Sequence, residues 1–395
     1  MKKYSLLIIA IICNSMLSYA DGEVRNKIRN ASSEYIGSHF LNAAYMFCDD
    51  QGTIELGAKG YSSFEKKKQL EPLEQMPIAS ATKTMTAAAI LRLRDKGLLD
   101  VNDAVAKYLG KDSGVWDEGK MPAWADKLTL HNLLTHRSGL PEYFMAAKLD
   151  AKKPHGQINK DIARFAAEKE LAFSPGEKHD YCNTNYVLLG MIVESLSGKS
   201  LGEFYTEEFF DPIGMKNTKL LALDEAVLYQ TKPDDGTFPV RYFVTPTGGE
   251  PKINEAKSKF IMIPFADGGV ASTTEDLILW NRALHNGRVL SDDSYKLMTT
   301  KHYELQDRMA MKNYMGYGLY ISELNNGDVM YHHAGNALAI RSESGCIPSK
   351  NLYFAVLSNV MNYTPKEFEG KIDMSKPENQ LDIFYFLQYV VDAST

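Results

Sequence analysis

The chain has 395 residues, of which 44% are hydrophobic and 24% are charged, and its formal net charge is −6 at pH 7. This composition excludes fibrous, disordered and multi-span membrane proteins. The acidic balance argues against a nucleic-acid-binding protein, which needs a basic face for phosphates. At about 150 residues per domain, the length accommodates two or three domains or one large fold.

The first twenty residues have the layout of a secretory signal peptide. Lys2 and Lys3 precede an apolar run from Leu6 to Leu17, which is too short for a stable membrane span, and Ser18-Tyr19-Ala20 fits a cleavage site. We expect cleavage after Ala20, with an uncleaved anchor as the alternative. The mature chain would then have 395 − 20 = 375 residues and a net charge of −6 − 2 = −8. It would be secreted or periplasmic, without a transmembrane segment.

The N-terminal part of the mature chain predicts a helix followed by a hairpin. The helix-like stretch runs from Glu23 to Ile36. Phe40 to Phe47 and Thr53 to Ala58 are strand-like, and the turn residues Asp49-Asp50-Gln51-Gly52 lie between them. Two strand-like runs around a polar tip predict a β-hairpin.

The middle of the chain predicts helices and the C-terminal part predicts strands. Thr82 to Asp95 combines helix formers with apolar spacing, and Gly97 is a natural C-cap. Similar stretches are Leu128 to Thr135, Lys160 to Lys169, Tyr186 to Leu196, Leu201 to Phe209 and Glu275 to Leu284. The late strand-like runs are Tyr317 to Ser322, Val329 to His332, Leu338 to Glu343 and Leu352 to Ser358. Strands at both ends predict one sheet assembled from distant segments, with a helical insertion packed against it.

The cysteine and histidine patterns predict neither a disulfide scaffold nor a metal site. Cleavage would remove Cys13 and leave Cys48, Cys182 and Cys346, an odd number with no C-x-x-C pair. The nine histidines have no zinc-ligand spacing. We therefore expect no metal or other cofactor.

The pattern G-x-S-x-G at Gly198-Lys199-Ser200-Leu201-Gly202 is interpreted as a chance match to a nucleophile elbow. Such an elbow needs a strand before the serine, whereas Tyr186 to Leu196 has helical periodicity. Gly198 fits a helix C-cap, and Ser200 with Glu203 forms a capping box that opens the next helix.

Ser80 is the stronger candidate nucleophile. It lies in Ile78-Ala79-Ser80-Ala81-Thr82-Lys83, at the start of a predicted helix, where the first N–H groups are unpaired and the macrodipole is positive. Residues three apart face the same way on a helix, so Lys83 lies beside Ser80. Burial would lower the pKa of Lys83 and let its neutral amine take the serine proton. Alone, S-x-x-K is more typical of an N-cap serine followed by a solvated lysine.

Two further motifs have groups suited to the same cleft. In Tyr181-Cys182-Asn183, the phenol is suited to relay a proton and the amide to hydrogen-bond a substrate carbonyl. In His333-Ala334-Gly335-Asn336, the glycine lets a substrate backbone approach a strand edge. The next N–H can donate into an oxyanion hole together with that of Ser80. Taken singly, both motifs also fit ordinary turn and capping residues.

Together the three motifs resemble the serine penicillin-recognising family of class C β-lactamases, low-molecular-weight DD-peptidases and their esterase and D-aminopeptidase relatives. The family pattern is S-x-x-K, then Y-x-N, then K/H-[TSAG]-G near the end, and its order and spacing match here. The resemblance covers roughly Asn42 to Val360. Further segments similar to the family are Leu133-Leu134-Thr135-His136-Arg137-Ser138-Gly139-Leu140-Pro141, Phe173-Ser174-Pro175-Gly176, Gly268-Gly269-Val270-Ala271-Ser272 and Gly316-Tyr317-Gly318-Leu319.

This resemblance implies an α+β, β-lactamase/transpeptidase-like fold. An antiparallel sheet with flanking helices would join an all-helical domain, with the active site between them. After the signal peptide at 1–20, the α/β part would comprise about 21–79 and 310–395, and the helical part about 80–309.

The resemblance also implies roles for the site residues. Ser80 would be the nucleophile, Lys83 would activate it, and water or an acceptor amine would release the acyl-enzyme. The backbone N–H groups of Ser80 and Asn336 would form the oxyanion hole. Tyr181 would relay a proton toward the leaving group, and Asn183 would hold the substrate amide. His333 and Gly335 would line the strand wall of the cleft.

Two positions depart from the family pattern. His333 stands where typical class C β-lactamases have lysine, and a neutral imidazole anchors a substrate carboxylate less firmly than an ammonium group. This favours the DD-peptidase and esterase branches. Cys182 replaces the usual small Ser or Ala, and we expect its side chain to point away from the cleft.

The predicted strands also suggest a disulfide. If the first hairpin strand lies antiparallel beside the last strand, Cys48 lies near the turn between Leu338–Glu343 and Leu352–Ser358, and Cys346 lies in that turn. A Cys48–Cys346 disulfide is then an expectation for an oxidising compartment.

The leading functional hypothesis is an exported serine acyl hydrolase acting on D-alanyl peptides derived from peptidoglycan, or on a related small amide. The second is an esterase of short acyl esters, or a weak β-lactamase, with the same Ser80. The third is a non-catalytic binding protein. The presence of Ser80, Lys83, Tyr181 and Asn183 together argues against the third, because a degenerate copy is free to lose them.

Overall fold

The computed structural model describes residues 22–117, 120–144, 146–231, 236–245, 251–256, 265–308, 311–362 and 383–394. The expected signal peptide, residues 1–20, lies outside these ranges. Across the described ranges, no helix is both long enough and apolar enough to cross a membrane.

The centre of the fold is an eight-stranded antiparallel sheet built from both ends of the chain. In space its strands follow the order β10-β11-β12-β13-β14-β15-β1-β2, so the first hairpin lies beside the last long strand. With strands numbered in chain order, their bounds are β1 (Ala43–Asp49), β2 (Gly52–Lys59), β10 (Tyr303–Arg308), β11 (Met311–Met315), β12 (Tyr320–Glu323), β13 (Val329–Ala337), β14 (Ile340–Ile347) and β15 (Leu352–Ser358).

Short strands form three smaller sheets around this one. β3 (Tyr61–Ser63) pairs with β4 (Lys68–Gln69). The other two sheets are β5 (Met76–Pro77), β9 (Val270–Ser272) and β6 (Lys219–Leu220), and β16 (Val360–Asn362), β7 (Tyr242–Thr245) and β8 (Lys252–Glu255). The sheet that contains β5 matters for function, because β5 leads directly into the segment that carries Ser80.

Helices cover both faces of the main sheet and fill the middle of the chain. One face packs against α1 (22–38) and α11 (Ile383–Ser394) through a cluster that includes Tyr35, Phe47 and Phe386. The other face packs against α9 (Thr274–His285), which contacts β1, β14 and β15. The remaining helices are α2 (Lys83–Asp95), α3 (Leu130–Leu134), α4 (His155–Ala167), α5 (Asn183–Ser197), α6 (Leu201–Tyr205), α7 (Asp211–Ile213), α8 (Leu223–Thr231) and α10 (Asp292–Met298).

The α+β architecture expected from the sequence is confirmed. The N-terminal hairpin and the C-terminal strands share one antiparallel sheet, and most helices lie between them in the chain. The division near residue 310 stays a prediction, although α9 and β10 already lie with the sheet. We did not predict β10, whose sequence from Tyr303 to Arg308 is polar, or α11.

The expected Cys48–Cys346 disulfide is wrong. β1 does lie beside β15, but Cys346 is on β14, on the far side of β15, rather than in the turn. Both cysteines are register partners of Tyr353, so two strand spacings, about 9.6 Å, separate their Cα atoms. A disulfide requires Cα atoms within about 7 Å. Cys48, Cys346 and Cys182 are all free and buried.

Candidate active site

Ser80 lies in a single 3-10 turn, Ala79–Thr82, between β5 and α2. We expected it to open the α-helix, but α2 itself begins three residues later, at Lys83. The neighbours Ala79, Ala81 and Thr82 are buried, while Ser80 is partly exposed and lines a cleft. Ala79 has a φ of +46°, a left-handed conformation that is strained for a non-glycine residue and sharpens the turn.

The turn before Ser80 is held by two strands. The Ile78 N–H donates to the carbonyl of Val270 on β9 (2.9 Å), and the Ile78 carbonyl accepts from the Ser342 hydroxyl on β14 (2.7 Å). The same carbonyl faces Gly335 on β13 so closely that a Cβ there would lie 2.0 Å from the oxygen. Gly335 therefore makes room for the turn that positions Ser80, and its expected place in the substrate wall stays a prediction.

Lys83 is fully buried and its ammonium nitrogen has three partners. Nζ lies 3.1 Å from Ser80 Oγ, 2.8 Å from Asn183 Oδ1 and 2.6 Å from the carbonyl oxygen of Asp267. The last two atoms only accept, so they take two N–H groups in either protonation state. The third substituent direction of Nζ, apart from these two N–H groups, faces Ser80. In the neutral amine a lone pair occupies this direction and can accept the serine proton.

Burial makes that neutral amine accessible near physiological pH. Burial lowers the pKa of Lys83 to about 8, although the charges of Asp267 and Glu142 raise it. Burial also raises the pKa of Asp267 to about 6, while Lys83 lowers it. The Tyr143 hydroxyl donates to Asp267 Oδ2 (3.0 Å) and fixes this carboxyl group. Two titrating groups thus lie together behind the nucleophile.

Tyr181 provides a hydroxyl next to Ser80. Its ring stacks on His136, with centroids 4.2 Å apart, and Lys83 Nζ lies 5.0 Å from the ring centroid. Burial raises the pKa of Tyr181 far above its usual value, although a hydrogen bond from Ser80 opposes the shift. The phenol is therefore neutral at pH 7, and the roles expected from the sequence, Lys83 as the base and Tyr181 as a proton relay, stay predictions.

Asn183 is the first residue of α5, and two hydrogen bonds to Glu142 hold it in place. Glu142 Oε2 accepts from the Asn183 backbone N–H (2.7 Å) and from its Nδ2 (3.1 Å). This orients Oδ1 toward Lys83 and leaves one Nδ2 hydrogen for a substrate carbonyl. Neither Glu142 nor Asp267 is predicted from the sequence motifs. Each adjoins a segment singled out as similar to the family, which was the signal available.

His333 of the third motif is neutral and almost fully buried, with 1% of its surface exposed. Nδ1 lies 2.7 Å from the carbonyl oxygen of Ala334, so this nitrogen carries the proton. Burial, followed by repulsion from Lys83, lowers the pKa of His333 to about 3. Nε2 is then an acceptor, and it has no partner among the described residues.

A cleft of about 580 Å³ connects these groups. Ser80, Tyr181, His333 and Asn336 line it, while Lys83 and Asn183 lie behind Ser80. The oxyanion hole of Ser80 and Asn336 stays a prediction. Arg341 on β14, the register partner of Asn336, also lines the cleft. Among the described lining residues, it is the one arginine or lysine.

A serine–histidine–carboxylate chain also lies in the same cleft, but its serine is not set up as a nucleophile. Ser322 Oγ lies 2.9 Å from His332 Nε2, and His332 Nδ1 lies 2.7 Å from Glu343 Oε1. Ser322 donates its single proton to Asn313 Oδ1 (2.6 Å), whose orientation is fixed because Nδ2 donates to the Met311 carbonyl (2.8 Å). The Ser322 proton is therefore directed at Asn313 and not at His332.

Two smaller predictions are confirmed. Ser200 accepts from the Glu203 N–H, and the Glu203 side chain accepts from the Ser200 N–H, so this serine caps α6 as expected. The Cys182 thiol points at the carbonyls of Leu140 and Pro141, away from the cleft.

Within the described parts of the chain, no cluster of His, Cys, Asp or Glu could hold a metal.

Comparisons with known proteins agree with this geometry. The family model described as Beta-lactamase matches residues 25–374. Protein flp of Staphylococcus aureus (strain MW2) is 28% identical over 339 residues, which cover 84% of this chain but only 60% of that protein. The chain therefore spans less than two thirds of this relative.

Two solved structures share the fold. D-amino acid amidase from Ochrobactrum anthropi SV3, complexed with D-phenylalanine, has a TM-score of 0.71 at 20% identity, covering 94% of this chain and 98% of that one. The penicillin-binding protein from Bacillus halodurans has a TM-score of 0.67 at 23% identity, covering 84% and 94%. The family match, which spans most of the chain, shows that the chain belongs to the Beta-lactamase family.

Proposed function

We propose that the protein is an exported DD-peptidase-like hydrolase that cleaves D-alanyl peptides of the cell wall, or a related amide. In the first step, Lys83 takes the Ser80 proton as Oγ bonds to the scissile carbonyl carbon. Tyr181 then gives its proton to the nitrogen as the C–N bond breaks, the amine leaves, and Lys83 returns the stored proton to Tyr181. Lys83 next takes a proton from the water that attacks the acyl-enzyme and gives it to Ser80 Oγ as the ester C–O bond breaks, which restores the Ser80 hydroxyl and releases the acid.

Arg341 is the observation that carries the choice of substrate. A D-alanyl peptide ends in a carboxylate, and the neutral His333 is a poor anchor for it. Arg341 lines the same cleft opposite Asn336 in the β13–β14 ladder. A guanidinium group is charged at all relevant pH values and binds a carboxylate with two parallel hydrogen bonds. Its place in the cleft supports a leaving group that carries a carboxylate.

A short-chain carboxylesterase is the second candidate. The Nε2 lone pair of His333 suits a neutral, hydrogen-bond-donating leaving group, and an uncharged ester needs no cation in the cleft. Both candidates use Ser80 in the same way. They differ only in whether Arg341 contributes to turnover.

Matched substrates separate the two candidates. We would compare kcat/KM for an acyl-D-alanyl-D-alanine peptide, the same peptide with a C-terminal amide, and a p-nitrophenyl ester. The proposal predicts that Arg341→Gln lowers the rate for the free carboxylate by roughly 10- to 100-fold and leaves the other two unchanged. The exposed Arg288, far along the chain after α9, provides the control Arg288→Gln. Equal rates for acid and amide, or equal losses on all three substrates, would contradict it.

Export is part of this proposal and has its own test. The layout of residues 1–20 supports cleavage after Ala20. Intact mass of the protein recovered from the periplasmic or secreted fraction should match residues 21–395. Full-length mass in the cytosolic fraction alone would contradict export.

A further inference from the structure

His136 packs against Tyr181 but takes no part in the reaction steps proposed above. It is fully buried, and it lies in the segment 133–141 that resembles the family. Its φ is +54°, a left-handed conformation that is strained for a residue other than glycine. Such strain persists only where the surrounding contacts hold the residue in place.

His136 holds the backbone on both sides of Tyr181. The N–H of Asp180 donates to the His136 carbonyl oxygen (2.9 Å), and the N–H of Cys182 donates to His136 Nδ1 (3.1 Å). Asp180 and Cys182 are the two chain neighbours of Tyr181. One residue therefore fixes the peptide groups before and after the residue that carries the phenol.

The neighbours of the His136 ring determine where its proton lies. Nδ1 faces two donors, the Cys182 N–H and Asn185 Nδ2 (3.3 Å), and Asn185 Oδ1 is already the acceptor of the Ser138 hydroxyl (2.6 Å). The Cys182 carbonyl oxygen also lies 3.2 Å from Nδ1, but a proton on Nδ1 would oppose both donors. Burial, followed by repulsion from Lys83, lowers the pKa of His136 well below its usual value. The ring is therefore neutral, with a lone pair on Nδ1.

The same ring supports the ring of Tyr181. The two ring planes are 25° apart and their centroids are 4.2 Å apart, so the rings are stacked. The phenol hydroxyl lies at the end of the Tyr181 ring, next to Ser80. Contacts to the backbone and to the ring plane together fix the position of this hydroxyl, and a displacement of about 1 Å costs about 100-fold in rate.

We infer that His136 is a positioning residue for Tyr181 and holds its phenol where the leaving group takes up a proton. The inference rests on the proton relay by Tyr181 in the proposed function and not on the choice of substrate. A displaced relay slows substrates whose leaving group needs a proton, such as an alkyl alcohol, and spares those with an acidic leaving group, such as p-nitrophenol. A merely structural role for His136 would slow both kinds of substrate by the same factor.

The ethyl and p-nitrophenyl esters of N-acetyl-D-alanine separate these two roles. His136→Asn keeps an acceptor close to the place of Nδ1 and a residue type that tolerates positive φ, but it removes the ring. We expect kcat/KM to fall roughly 10- to 100-fold for the ethyl ester and less than about threefold for the p-nitrophenyl ester. Tyr181→Phe should show the same pattern, and adding His136→Asn to it should cause no further loss. The control His285→Asn removes a histidine ring that packs against Tyr295, and it should change neither rate.

His136→Phe makes the opposite change. It keeps a stacked ring and the Asp180 hydrogen bond, but it leaves the Cys182 N–H without its acceptor on the side chain. This variant should unfold at a lower urea concentration than the wild type, while the ratio of the two ester rates stays within about threefold of the wild-type ratio. A selective loss on the ethyl ester in His136→Phe would overturn the inference, because the ring would then not be what places the phenol.

The outcomes for His136→Asn are equally decisive. Equal losses on the two esters, or a further loss on the ethyl ester when His136→Asn is added to Tyr181→Phe, would overturn the inference. Equal losses on both esters in Tyr181→Phe alone would refute the relay and the inference with it. Failure of the proposed peptidase function would appear separately, as Ser80-dependent ester hydrolysis with no cleavage of D-alanyl peptides.

Discussion

Replacing Gly335 by alanine tests how the nucleophile is positioned. The new Cβ would lie 2.0 Å from the Ile78 carbonyl oxygen and 2.2 Å from Ser342 Oγ, and contacts under 3.0 Å are essentially never observed for a real Cβ. The Ile78 oxygen belongs to the backbone, so the turn must move by at least 3.0 − 2.0 = 1.0 Å. A 1 Å misplacement costs about 100-fold in rate, equivalent to about 2.7 kcal/mol. We therefore expect kcat/KM for a p-nitrophenyl ester to fall about 100-fold.

A second glycine provides the control for a general loss of stability. A Cβ at Gly110 would lie 2.8 Å from the Ala106 carbonyl oxygen, a backbone clash in a segment that carries none of the site residues. Both variants should lose about 1–3 kcal/mol of unfolding free energy, measured by urea denaturation. Only Gly335→Ala should lose activity. If Gly335→Ala kept kcat/KM within about threefold of wild type, the turn would not depend on this glycine and the reasoning would be refuted.

The remaining predictions concern pH, the chance serine match and the cysteines. For a neutral ester, kcat/KM should rise with pH through about 8, because Lys83 accepts a proton only after losing its own. Asp267→Asn should move this midpoint to lower pH, because the carboxylate favours the charged amine; an upward shift in the pH–rate profile would contradict the assignment. Ser200→Ala should cost about 1 kcal/mol of stability in denaturant titration, with unchanged kcat/KM; lost activity would revive Ser200 as a nucleophile. Alkylation of the unfolded, unreduced protein should label both Cys48 and Cys346 in peptide mass maps, whereas protection of the pair would restore the disulfide.

The proximity of Ser80 and Lys83 could be predicted from the sequence because the motif is local. Ser80 and Lys83 are three residues apart, and a single turn of backbone brings their side chains together regardless of the rest of the fold. Asn183 and Lys83 are a hundred residues apart, and here only the resemblance to a known family supplied the contact. The burial that lowers the pKa of Lys83 was also foreseeable from the chemistry that the motif requires.

The positions that sequence reasoning missed depend on packing between distant segments. Glu142 contacts the first residue of α5, and Arg241 contacts the β13–β14 turn, and no spacing in the chain encodes these contacts. The Cys48–Cys346 error has the same origin. Strand adjacency was predicted correctly, but the sequence did not reveal that β15 lies between the two cysteines.

The proposed mechanism requires that Ser80, activated by Lys83, forms the acyl-enzyme. A fluorophosphonate probe reacts with activated serines, and peptide mass mapping identifies the residue that it modifies. We predict a single adduct on Ser80, which is lost in Ser80→Ala together with ester hydrolysis. An adduct on another serine, or ester hydrolysis that persists in Ser80→Ala, would contradict the claim.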